Sequence, residues 1–372
     1  MTIAITSAPT RQLSEIPEKI LLAFQDISVK IKIERHFQVS HDDLPARQIS
    51  PEIVDRFQQL PLEVQENYLN NQLKWLLYGI YYNNYIKADV SENNNWENLR
   101  QPPDLENNTW LGVDLDFYNS LHRSNAGGGY FDPGWHVLRR ESDGTLAVNK
   151  NGLTLHLQPS RHLLPSAENA TPGESVAVKM PPNLLQNGFY MAVGNAGPQG
   201  RGSQRQSGDP DNVRIYFHFS SAGAIAVMEL LTQALNQLFV PFSFKVLYNP
   251  SDYKRYDSGV LYFDKKNYAK IRPVVNKVIT ATQEYFREEI PLFTKPIAAG
   301  VGLAEEPQRK FTIKDSFGLN RCQIIANGLL HCWRNQDESP SARFHSILAA
   351  FSQEKINLHC PYLNPNSEDI YT

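Results

Sequence analysis

The sequence predicts an α+β protein: a mostly antiparallel, strand-rich C-terminal unit with packed helices, preceded by a helical N-terminal unit. Three observations carry this reading. Beyond about residue 125 the chain breaks into short runs, apolar at every second position and separated by turns. Amphipathic helical patterns interrupt those runs late in the chain rather than after every strand, which argues against a doubly wound parallel sheet. Residues before 90 show helical spacing instead.

From the N-terminus, Ser14 offers a cap and Glu15 and Glu18 an acidic first turn for a helix over 14–35, with Ile16, Ile20, Phe24, Ile27 and Ile31 on its apolar face. Helical spacing continues over 50–86, from starts at Ser50 and Pro61 and through Leu69, Leu73, Leu76, Leu77 and Ile80. The tyrosines at its end, Tyr78, Tyr81, Tyr82 and Tyr85, read as packing rather than as a binding strip. An Asn-rich stretch, Glu92 to Asn108, reads as a linker, dividing the chain into a helical unit, 1–100, and an α+β domain, 101–372. Removal of residues 1 to about 100 is then expected to leave a folded core that captures a long peptide less well.

The glycine-rich run from Asn125 to Tyr130 reads as a flexible loop. Strands are expected at 134–140, 144–149, 153–158, 174–180, 188–193, 213–219, 242–248 and 258–263. Helices are expected at 221–239, 267–288, 319–331 and 340–354, the last capped by Ser339 ahead of Pro340.

With 36 basic and 39 acidic residues and a net charge of -3, no global field draws the chain to nucleic acid or to a membrane. No run of apolar residues reaches spanning length and no basic-then-apolar signal opens the chain, so a cytoplasmic location is expected. Cys322, Cys332 and Cys360 form neither an even framework nor a metal spacing and read as thiols in a reducing compartment. Phosphate-loop, serine-hydrolase and zinc-protease motifs are absent. The glycine-rich run Gly194 to Asp209 lacks the strand and helix context of a dinucleotide site; it reads as a surface loop, or as a lid that brings Arg201 and Arg205 over an anionic substrate.

Strand alternation is what assembles a candidate site. It sends Ile215, Phe217 and Phe219 to one face and Arg214, Tyr216 and His218 to the other, and it separates Lys245 from Phe242, Phe244, Val246 and Tyr248. If these strands are neighbours, Arg214, His218, Lys245 and Arg255 converge on an anion site, since guanidinium groups give forked hydrogen bonds and an ammonium gives a point charge. Asp257 is placed to orient Arg255. A structural use competes with this: an Arg255–Asp257 or Arg214–Glu pair holding the sheet, with Lys179, Arg321 and the rest on a half-solvated surface. Glu305 and Glu306 read as solvated loop carboxylates, or as orienters of a catalytic base.

A series of phrases carries a family resemblance. They are Gly152-Leu153, Val176 to Pro181, Val213 to Phe217, Pro241 to Leu247, Tyr253 to Asp257, Gly300 to Pro307 and Ser316 to Cys322. In that order they resemble the HopA-type type III effectors of plant-pathogenic Pseudomonas. They also resemble the relatives of those effectors encoded beside peptide-modifying enzymes in lanthipeptide and thioamitide clusters. The resemblance implies a lyase that expels phosphate from phosphoserine or phosphothreonine of a precursor peptide by β-elimination, partnered by a kinase-like phosphotransferase, without metal or organic cofactor. In those terms Lys245 is the first candidate base and Lys179 the second; a lysine serves as a base where cationic neighbours and burial favour its neutral amine. His218 or Tyr216 would protonate the leaving phosphate, Arg214, Arg255 and Arg321 would hold it, and Asp257 and Glu305 would orient. The effector relatives imply an alternative, a non-catalytic protein binding a host or pathway protein through a basic cleft, exported without a cleavable signal.

Overall fold

The structure is a computed structural model. It describes residues 16–34, 38–45, 50–87, 109–110, 112–186, 188–200, 211–313 and 315–371. Arg201 and Arg205, Ser14 and the whole expected linker, Glu92 to Asn108, lie outside these residues.

The chain opens with α1 (Glu18–Lys30) and a hairpin of β1 (Ile31–Glu34) and β2 (Gln38–His41), followed by α2 (Pro51–Gln58), α3 (Leu62–Leu77) and one π-helical turn, Tyr78–Tyr82. The expected first helix is thus cut at Lys30: Ile31, which extends the helical spacing, also stands at period two with Ile33, and these two β-branched residues pair with His41 and Val39. Next come β3 (Thr109–Trp110), β4 (Val113–Asp114) and α4 (Leu115–Ser124). The strand-rich part then contributes β5 (Tyr130–Arg140), β6 (Leu146–Lys150), β7 (Leu153–Leu157), β8 (Ser175–Met180), β9 (Asn183–Gln186), β10 (Phe189–Val193) and β11 (Asn212–Phe217). After α5 (Ser221–Gln237) follow β12 (Phe242–Leu247), β13 (Gly259–Asp264), α6 (Tyr268–Ala281), β14 (Lys295–Ala298), β15 (Val301–Glu305), α7 (Phe317–Arg334) and α8 (Pro340–Gln353). Serine caps start α5, α7 and α8, the last through Ser339 Oγ accepting from Ala342 N–H at 3.2 Å.

β5 to β8 form a four-stranded sheet, while a seven-stranded sheet runs β14-β15-β11-β13-β12-β10-β9. Every pairing is antiparallel, giving the mixed α+β class expected. The larger sheet is the middle of three layers. On one face Val213, Ile215, Phe217, Phe244, Leu261 and Leu303 pack with α4, α5 and α6. On the other, Tyr216, Val260, Tyr262 and Ala304 pack with α1, α3, α7 and α8. Central strand β13 is consequently buried at all six positions.

The helices before residue 87 are therefore one of the covering layers: Phe24, Ile27, Leu69, Leu73 and Leu77 share an apolar cluster with Phe317, Ile325, Ile347 and Phe351. A fragment beginning at residue 101 is expected to expose that cluster, to bind a hydrophobic dye and to aggregate. A monomeric fragment that unfolds cooperatively would instead establish residues 1–100 as a separable unit.

The glycine-rich loop before β5 is pinned rather than flexible. Asn125 donates to the Pro182 carbonyl and the Tyr190 hydroxyl, Gly128 N–H donates to Asn195, and Ala126 N–H to Thr232. Gly129 has a φ of +88°, and a Cβ there would lie 2.5 Å from the Met180 carbonyl oxygen.

Candidate functional site

The register settles which side chains share a face. Arg214 lies opposite Tyr262, which lies opposite Ser243; Tyr216 lies opposite Val260, which lies opposite Lys245. Arg214, Tyr216 and Lys245 therefore stand on the same face, and Ile215, Phe217, Phe244 and Val246 are fully buried behind them. The cations are interleaved with rings. Arg214 and Lys245 lie over the Tyr262 ring at 5.0 and 5.5 Å, and Lys245 and Arg255 over the Phe189 ring at 4.3 and 5.7 Å.

Each guanidinium is held by a buried carboxylate. Arg255 forks onto Asp257 at 2.9 and 3.0 Å, and Tyr78 Oη donates to the same carboxylate at 3.0 Å. Burial alone would raise the Asp257 carboxyl, but the Arg255 charge and the hydrogen bonds from Arg255 and Tyr78 outweigh it and hold it below the usual carboxylate range. Arg214 Nε donates to Glu306, which Lys310 also pairs, and the same opposition of burial against Arg214 and Lys310 leaves Glu306 lowered. Both pairs competing with an anion site in the sequence are thus present, and they fix the cations without using every N–H. Lys245 differs. Its ammonium is half-buried and makes no hydrogen bond or ion pair among the described residues, only the two ring contacts.

Five of the expected site residues, His218 among them, do not fit their roles. Lys179 is exposed on β8, in the other sheet. Glu305 is buried, not a solvated loop residue, and alternation turns it away from Glu306, to the opposite face of the sheet. There its carboxylate accepts from Lys265, Ser367, Tyr371 and the Asn364 N–H at 2.7 to 2.9 Å. Arg321, 1% exposed, donates to the carbonyls of Pro361 and Leu363 and to Asn320, anchoring the C-terminal segment, and burial brings its guanidinium down to about 10. Tyr216 is sealed among Tyr82 and Phe317, where burial pushes its hydroxyl up.

His218 sits beyond β11 with its Nδ1 2.9 Å from the Glu289 carbonyl and its Nε2 buried without a partner among the described residues. Burial lowers this imidazole, so the ring is neutral and poorly suited to donating a proton to phosphate. The unfolded chain takes up that proton near pH 6.5, whereas the folded ring resists it. Stability is therefore expected to be full above about pH 7 and to fall as pH drops through 6.5. Urea midpoints at neutral and mildly acidic pH test this: His218→Asn, which keeps a donor for Glu289, should flatten the dependence. An unchanged slope would assign it to His41, the other imidazole lowered by burial.

Sequence reasoning missed Tyr262, Phe189, Tyr78 and Lys310. Tyr262 and Phe189 alternate like their strands but are recognisable as ring platforms only once the register with Lys245 is known. Among the described residues no group of three or more His, Cys, Asp or Glu is placed to hold a metal, and no helix is long and apolar enough to cross a membrane.

The fold and face together describe an α+β protein with an antiparallel sheet sandwiched between helices and an aromatic-lined cationic strip on one side of it. Residues 180–363, which hold all of that strip except the tyrosines of the π-helical turn, match the HopA1 effector protein family. The chain is also similar to two solved Pseudomonas syringae effector proteins. That of pathovar tomato strain DC3000 is 16% identical, over 71% of this chain and 84% of that one, at a TM-score of 0.35. That of pathovar syringae strain 61 is 14% identical, over 86% of this chain and all (100%) of that one, at a TM-score of 0.42. No curated protein matches.

Proposed function

We propose that the Arg214–Lys245–Arg255 face takes the phosphate of a phosphoserine or phosphothreonine in a peptide or protein, and that the protein is a lyase that expels it. The observation supporting this is Lys245, a half-buried ammonium without an acceptor among the described residues, which shares ring platforms with two guanidinium groups whose positions are fixed by Asp257 and Glu306. Lys245, acting as the base, takes the proton from the substrate Cα. The electron pair left behind forms the Cα=Cβ bond, and the Cβ–O bond breaks with its pair going to the phosphate. An ester entering as the monoanion leaves as hydrogenphosphate, so neither His218 nor Tyr216 is needed as an acid. The unused N–H groups of Arg214 and Arg255 stabilise the departing charge.

A second reading is favoured by the pairing itself. Two of the three cations already hold carboxylates, which suits a rigid surface that binds a phosphorylated protein and leaves it intact. Incubation with phosphothreonine and phosphoserine peptides, followed by mass spectrometry, separates the two. Loss of one phosphoric acid per site supports the lyase; binding without loss supports the binder, and neither binding nor loss removes both.

A further inference from the structure

Resting on the reading of this face as a phosphate site, we infer that the π-helical turn at Tyr78–Tyr82 is its positioning element and that Tyr78 acts on bound phosphate through Asp257 and Arg255. A π turn is rare and occurs frequently at functional sites. Here it ends α3 and lies against the loop that carries Arg255 and Asp257.

Three contacts join the turn and the residues just after it to that loop, a fourth joins the loop to the sheet, and a fifth seats the turn on α7. Tyr256 N–H, between Arg255 and Asp257 in sequence, donates to the Asn83 carbonyl at 3.1 Å. Tyr78 Oη donates to Asp257 Oδ2 at 3.0 Å, the oxygen that also receives Arg255 Nη2 at 3.0 Å. The Arg255 guanidinium lies 5.7 Å from the Tyr85 ring, beyond the turn, and 5.7 Å from the Phe189 ring, on the sheet. The Tyr82 ring packs on Gly318 of α7 so closely that a Cβ there would come within 2.3 Å of it.

The consequence is directional. Asp257 carries one negative charge on two oxygens, and Arg255 occupies both. The Tyr78 hydroxyl satisfies a further lone pair of Oδ2, which fixes the plane of the carboxylate and with it the plane of the guanidinium. The N–H groups that Arg255 leaves unused then keep one orientation toward the Lys245 side of the Phe189 ring. Without the hydroxyl the pair survives but the fork can rock. Tyr78 is a positioning residue, contributed by a segment outside the family-matched stretch of 180–363.

Tyr78→Phe keeps the ring, which stacks on Tyr82 at 5.0 Å, and removes only the hydroxyl. Calorimetry with inorganic phosphate, a phosphothreonine peptide and its unphosphorylated twin is the test. The variant is expected to bind phosphate and phosphopeptide roughly threefold to tenfold more weakly, the range of one lost hydrogen bond, with binding of the unphosphorylated twin and the thermal midpoint little changed. Wild-type affinity for phosphate retained in Tyr78→Phe would overturn the positioning role and leave the phosphate site standing. A wild-type protein that binds neither phosphate nor phosphopeptide would overturn the site as well. Equal weakening toward both peptides would show a general packing role and would also overturn the inference.

Discussion

Lys245→Ala is expected to slow phosphate elimination by about 10² to 10⁴-fold, the usual consequence of removing a general base. Affinity for the phosphopeptide should fall less than in Arg214→Ala. The reason is geometric. Lys245 has no acceptor among the described residues, so its loss leaves none of their buried groups unpaired, whereas loss of Arg214 leaves Glu306 buried with Lys310 alone. Single-turnover rates by mass spectrometry give the first effect and calorimetry the second. Lys179→Ala, on the four-stranded sheet, should leave the rate unchanged. Undiminished elimination by Lys245→Ala would remove that residue from the chemistry.

Glu305→Ala is expected to destabilise the fold by about 3 to 5 kcal/mol, because one buried carboxylate is the common acceptor for four donors. Ser367, Tyr371 and the Asn364 N–H would lose this acceptor at once, and Lys265 would keep only Ser367 Oγ and the Glu368 carbonyl. These bonds fasten residues 364–371 to the end of β15, and Tyr371 packs edge-on against Tyr268 at 4.9 Å. The change should appear as a lower urea midpoint together with faster proteolysis of the C-terminal segment. A stability loss under about 1 kcal/mol, the scale of an exposed ion pair, would mean that the cluster is solvated in solution and the segment held by Arg321 and Tyr371 packing alone.

What was legible in the sequence follows from period. Strands expected at 153–158 and 242–248 appear at 153–157 and 242–247, because apolar alternation is set by the strand repeat of two and needs no knowledge of neighbours, while the one expected at 258–263 appears at 259–264 from a continuous apolar run buried on both faces. The same alternation placed Arg214, Tyr216 and Lys245 opposite the apolar row. Where side chains are small the signal fades. β15 contains Gly302 and Ala304 on the face toward the helical layer, so its alternation reads as a turn phrase, and Glu305 and Glu306 read as loop residues. In the same way, Ile31 satisfies helical spacing after Ile27 and strand spacing before Ile33, and only the pairing with His41 decides between them.

The sequence by itself determined the class of fold, most strands and helices, the side of the sheet that carries the cations, and the resemblance to the HopA-type family. Only the tertiary structure decided which of those cations are engaged. Arg214 meets Glu306 across 92 residues and Tyr78 meets Asp257 across 179, separations at which local periodicity carries no information about contact. It also decided that the early helices roof the cationic face and that Arg321 and Glu305 serve the C-terminal segment. A buried charge must find a partner wherever the chain can supply one, and that search is settled by how the layers close, not by the residues on either side of it.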